Sequence, residues 1–79
     1  MRTTVDNLSA GQEGRVVALE GGRGMQARLE SMGVRPGKTV RKVSSQLMSG
    51  PITIVMDGRQ MAMGRGIARR IEVETDIEG

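Results

Sequence analysis

The side chains that most often do chemistry at neutral pH are missing from this sequence, which contains neither histidine nor cysteine. Without an imidazole there is no ordinary general base near pH 7, and without a thiol there is neither a thiolate nucleophile nor a thiolate metal site. Acidic residues are present but scattered, and no two of them fall where a cleft would hold them as an acid–base pair. The chain therefore reads as non-enzymatic, with no catalytic residue, no cofactor and no metal ligand set. What remains are residues that recognise. An arginine can pair two-pronged with a carboxylate or phosphate, which makes Arg28 and Arg65 the basic candidates for partner contact. Methionine thioethers suit adaptable protein-binding surfaces, and the apolar candidates are Met25, Leu29, Met32, Leu47 and Met48.

Each candidate has a plainer reading. Met25, Met32, Met56, Met61 and Met63 fall at inward-facing positions, so they also fill a core that uses no aromatic side chain. Leu47 and Met48 stand in a loop, either exposed to a partner or folded back as a lid. The glycines of Gly21-Gly22-Arg23-Gly24 resemble a phosphate loop, because free amides at a helix start attract anions. No Gly-Lys-Ser/Thr follows and no dinucleotide spacing fits, so the segment reads as a strand-to-helix turn.

The element that must position these residues is the stretch Arg28–Gly37. Met25, Leu29 and Met32 stand at i, i+4 and i+7, one apolar face of a short helix, with Arg28 and Glu30 towards water. Gly33 reads as the left-handed residue past the helix end, and Pro36-Gly37 turns the chain into a strand at 38–43. Before the helix, Leu8 plugs the core, Gly14 closes a turn, and a first strand runs over 15–20. After it, Val40 and Val43 mark a strand whose odd spacing predicts a bulge or a twist. Ile52, Ile54 and Met56 alternate cleanly towards Asp57-Gly58, a tight-turn pair, and 60–63 return as the second arm of a hairpin. Residues 64–70 read as one helical turn, and Ile71 and Val73 face inward on a last strand. Five short strands, one short helix and a one-turn corner fit a mainly β, closed or nearly closed small barrel.

A chain of 79 residues has room for one domain, with a core over 8–74 and an acidic tail at 75–79. The formal charge is +3, and the acids crowd the C-terminal end, so the body is more cationic than its total. No apolar run approaches the length of a membrane span and the N-terminus lacks a signal-peptide core, which fits cytoplasmic residence without membrane insertion.

Leu8 with Gly11 and Gly14-Arg15-Val16, Arg28-Leu29 with Met32-Gly33, and Pro36-Gly37 together resemble the FeoA family. Gly50-Pro51-Ile52, Asp57-Gly58, Met61-Ala62-Met63, and Ala68 with Ile71 and Val73 complete the likeness. That resemblance implies an SH3-like β-barrel and a small cytoplasmic protein of bacterial ferrous-iron uptake. Its partner would be the transporter FeoB, docked through the cytoplasmic GTP-binding domain. It does not imply an iron carrier, and the residues agree, since iron(II) sites are usually built from imidazole with carboxylate. Two other roles fit a small basic barrel: nucleic-acid binding, which the lack of aromatic stacking side chains disfavours, and a freestanding relative of the SH3-like domain of DtxR-type repressors. The sequence leaves open the oligomeric state, and whether the protein activates, inhibits or only assembles its partner.

Overall fold

A computed structural model describes residues 1–44 and 50–75. In chain order the elements are β1 (Arg2–Thr4), a 3₁₀ turn (Val5–Asn7), β2 (Glu13–Leu19), α1 (Arg23–Ser31), β3 (Thr39–Ser44), β4 (Ile52–Met56), β5 (Arg59–Met63), α2 (Arg65–Ala68) and β6 (Ile71–Glu74). The strands form one antiparallel sheet in the order β1-β6-β2-β3-β4-β5. It curls around one cluster that takes Val5 from the 3₁₀ turn, Leu29 from α1, Ala68 from α2 and an apolar residue from each of β2 to β6. The mainly β, SH3-like expectation is met, with one strand more than the five anticipated.

That extra strand is β1. Arg2-Thr3-Thr4 carries no apolar alternation, so nothing local marks it, and it exists because β6 offers an edge to pair with. The turn after it buries Val5 completely, so the core begins at Val5 and not at Leu8. At the other end Thr75 is buried and bonds through both its amide and its hydroxyl to the Met1 carbonyl. The buried structure thus reaches one residue into the segment read as a tail; residues 76–79 lie outside the described residues.

The irregular spacing of Val40 and Val43 has a specific origin. The β3–β4 register shifts between Lys42 and Ser44, as a bulge there predicts, and Val43 is left at the surface. Val40 and Lys42 face inward instead. A second shift lies between Val16 and Ala18 on β2. β2 also starts earlier than the sequence indicated, at Glu13, so Gly14 is a strand residue. It faces Val73 so closely that a Cβ would sit 2.8 Å from the valine Cβ; glycine is required there by space.

The end of α1 is built from several locks. The Val34 amide bonds to the Leu29 carbonyl at 3.0 Å and the Gly33 amide to the Glu30 carbonyl at 2.9 Å, the paired bonds of a Schellman motif. Gly33 supplies the left-handed residue with φ 92°. Leu29 and Val34, both fully buried, make the apolar contact that accompanies such a cap. Arg35-Pro36-Gly37-Lys38 then turns back, with the Lys38 amide 3.2 Å from the Arg35 carbonyl and Gly37 at φ 97°. The Gly37 amide and the Lys38 carbonyl bond to β2 at Val16, which ties the elbow to the sheet.

Candidate docking surface

Helix α1 places the predicted contact residues by simple geometry. At about 100° per residue, Met25 and Met32 lie roughly 20° apart around the axis, with Leu29 about 40° to one side of Met25 and Arg28 about 60° to the other. Leu29 is fully buried, so it serves the core and drops out of the partner-facing set. Met25 and Met32 are half-buried, packed on the core yet reaching the surface, and Arg28 is exposed. Met25 and Met32 therefore form a half-buried apolar strip at the rim of the packed face of α1, with the exposed Arg28 guanidinium on its water side. Leu47 and Met48 fall outside the described residues.

The glycine-rich segment before α1 behaves as a turn. Gly21 has φ 110°, and a Cβ there would lie 3.1 Å from Met25 Cγ and 3.3 Å from an Arg70 guanidinium nitrogen. The corner thus brings Met25 beside Arg70. Gly22 caps α1 without a side-chain bond, and the Gln26 amide donates to the carbonyls of Leu19 and Gly21, folding the loop onto the helix. Next to it, Glu20 shares a hydrogen bond with Glu72. That bond and the like charge hold the Glu20 carboxyl above its usual range, opposed by Arg70.

Arg65, half-buried at the start of α2, sits in another neighbourhood, built around a lysine the sequence reading missed. Lys42 is 4% exposed, and its ammonium donates to the Leu8 carbonyl at 2.7 Å and the Asp6 carbonyl at 3.1 Å. It therefore holds the last carbonyls of the 3₁₀ turn as a C-terminal cation does for a helix. Burial, reinforced by the Arg65 charge and opposed by Asp6, pushes the Lys42 ammonium below its usual 10.5. The available signal was its parity with Val40, which sets Lys42 on the inner face.

Around the rest of the barrel the polar groups are surface pairs. The terminal amine of Met1 donates to Glu74 at 2.9 Å, and Lys38 pairs with Asp57 at 2.8 Å. A shallow depression between β2, β3 and β6 is lined by Glu13, Gly14, Arg15, Thr39 and Glu74. Among the described residues, no three Asp or Glu side chains are grouped to hold a metal ion. No described helix is long and apolar enough to cross a membrane.

Comparison with known proteins bears on the family of the chain. A candidate Fe(2+) transport protein A of Methanocaldococcus jannaschii is 38% identical over 64 residues, covering 81% of this chain and 76% of its own. A crystal structure described as an iron uptake regulatory protein (FeoA) superposes with a TM-score of 0.87 at 34% identity, covering 96% of this chain and 99% of that one. A manganese-dependent transcriptional repressor matches with a TM-score of 0.84 at 18% identity, over 95% of this chain and 42% of its own, which is a likeness of fold. The FeoA domain matches residues 3–75, nearly every element described above, and the chain belongs to that family.

Proposed function

We propose that the chain is a non-catalytic accessory of ferrous-iron uptake that works in the cytoplasm by docking on a FeoB-type transporter through the rim of α1 that carries Met25, Met32 and Arg28. The names of its relatives support the pathway. The observation that carries the docking mode is the strip on α1, where Met25 and Met32 reach the surface beside the exposed Arg28. Adaptable thioethers beside a guanidinium make a contact site suited to an apolar patch with an acidic border. Arg65 is a second basic contact in this proposal, and Leu47 and Met48 are further apolar contacts. The transporter's GTP-binding domain is the surface proposed to receive them.

The test is binding of the purified GTP-binding domain of the transporter, followed by calorimetry. Met25→Glu places a charge in the strip and lowers affinity by about tenfold or more, on the order of 1.4 kcal/mol or above. A melting curve of the same variant separates lost binding from lost folding, since Met25 is packed on the core. Undiminished binding by a folded Met25→Glu, Met32→Glu double variant would remove α1 as the docking face.

A further inference from the structure

The sheet has two edges, and they differ in how they are finished. β1 is three residues long, carries Arg2 and runs directly into the 3₁₀ turn, features that blunt an edge. β5 spans five residues, pairs with β4 in unbroken register, and contains neither proline nor bulge. Its middle, Gln60-Met61-Ala62, is uncharged. Among the described residues nothing pairs with its outer side.

The turn fixes which groups that edge presents. Asp57 and Gly58 have φ of 55° and 76°, the two positive values of a type I′ two-residue hairpin. Met56 and Arg59 close it, so in this ladder they exchange hydrogen bonds, as do the pairs Ile54–Met61 and Ile52–Met63. The intervening residues, Gln60 and Ala62, aim their amides and carbonyls away from β4. Both are exposed, so two donors and two acceptors stand open in a row.

We propose that the β5 edge is a strand-addition site for an extended acidic segment of another polypeptide, held by the backbone of Gln60 and Ala62. Side chains define its chemistry. Arg59, Met61 and Met63 share the core-side face of β5. Met61 is half-buried, packed on the core and open at the edge, so the incoming residue opposite it is apolar. Two positions along, the incoming residue lies opposite Arg59, which is exposed, so it is a carboxylate. The acid two residues before Arg59 in the chain, Asp57, is engaged by Lys38 at 2.8 Å. The recognised pattern is apolar-x-acidic for an antiparallel strand and the reverse for a parallel one.

A second copy of the chain fits less well. Two-fold pairing about Met61 sets Met63 opposite Arg59, leaving the guanidinium without an acid. A five-residue strand also buries far less than the ~1,200 Å² of a stable interface between rigid bodies. The site is separate from the α1 strip, so either proposal survives failure of the other.

The experiment titrates the ¹⁵N-labelled full chain with two capped peptides to millimolar concentration, Ser-Val-Thr-Ile-Thr-Glu-Ser and its reverse. One of them shifts the amides of Gln60 and Ala62 and slows their hydrogen exchange, while β1 amides stay unchanged. Ala62→Pro removes an outward amide that β4 does not use, so the protein folds and the response disappears. Arg59→Glu weakens binding about fivefold or more, and replacing the peptide glutamate by lysine restores it; this charge exchange decides the matter if Ala62→Pro does not fold. The proposal is overturned if neither peptide moves those amides, if charge exchange does not restore binding, or if Ala62→Pro responds like the parent. It is equally overturned by a concentration-dependent doubling of mass in ultracentrifugation that Ala62→Pro abolishes, because the edge then belongs to a second copy.

Discussion

Replacing Lys42 with methionine removes an ammonium while keeping an unbranched chain of similar length. The ammonium holds the carbonyls of Leu8 at 2.7 Å and Asp6 at 3.1 Å. Hydrogen bonds from a charged donor contribute about 1.5–3 kcal/mol each, and a buried carbonyl left without a partner costs about 1–3 kcal/mol. Against this, methionine relieves the burial of a charge, which offsets roughly half of the loss. The net is about 2 kcal/mol of destabilisation at pH 7, or a melting temperature lower by roughly 10 °C for a domain of this size. With no aromatic residue to report unfolding, the assay is scanning calorimetry or far-ultraviolet circular dichroism. A pH series supplies a second readout. Because the folded-state pKa of Lys42 lies below 10.5, the unfolded chain binds more protons in the interval between the two, and stability rises with pH there. The parent therefore gains on Lys42→Met as pH climbs through the folded pKa towards 10.5, and the gap levels off above it. Lys38→Met, which breaks the exposed pair with Asp57, costs under about 1 kcal/mol. A Lys42→Met protein as stable as the parent at pH 7, or a gap that narrows in alkali, would refute the assignment of Lys42 as the cap of the N-terminal turn.

Other outcomes follow from the same packing. Gly14→Ala drives a methyl to 2.8 Å from Val73 and destabilises by about 1–3 kcal/mol; adding Val73→Ala recovers part of that loss in a double-mutant cycle. Gly33→Ala puts a side chain at φ 92° and costs about 1–2 kcal/mol in denaturant melts, with binding of partners unchanged in the folded fraction. Glu74, held below 4.5 by its bond to the Met1 amine and by that charge, adds stability that is present above 4.5 and lost as pH falls through its folded pKa. Acid titrations of the parent and Glu74→Gln therefore converge below that pH; a constant gap would refute the pairing.

Most of the barrel was legible because its signals are local. Asp57-Gly58 states the hairpin, Ile52, Ile54 and Met56 state its inner face, and Gly33 states the end of α1. The bulge near Val43 was legible too, though its cause was not: Lys42, not Val43, takes the inner place, and a lysine is out of place there until the carbonyls it meets are known. β1 was illegible for a related reason, since Arg2-Thr3-Thr4 becomes a strand only when β6 lies beside it. In the candidate site, the half-buried Met25 and Met32 and the fully buried Leu29 are separated by only about 40–60° of helix. A spacing pattern marks the face but not where its border with water falls.

The β1–β6 ladder has a kinetic consequence. It pairs Arg2 with Glu74, so nearly the whole chain is the loop it closes, whereas the β4–β5 hairpin closes across two residues. Loop-closure entropy grows with length, so the hairpin forms on the microsecond scale and β1 docks last. In the native protein the same asymmetry runs in reverse: β1 opens first, and its amides exchange through local fraying while those of β4 wait for global unfolding.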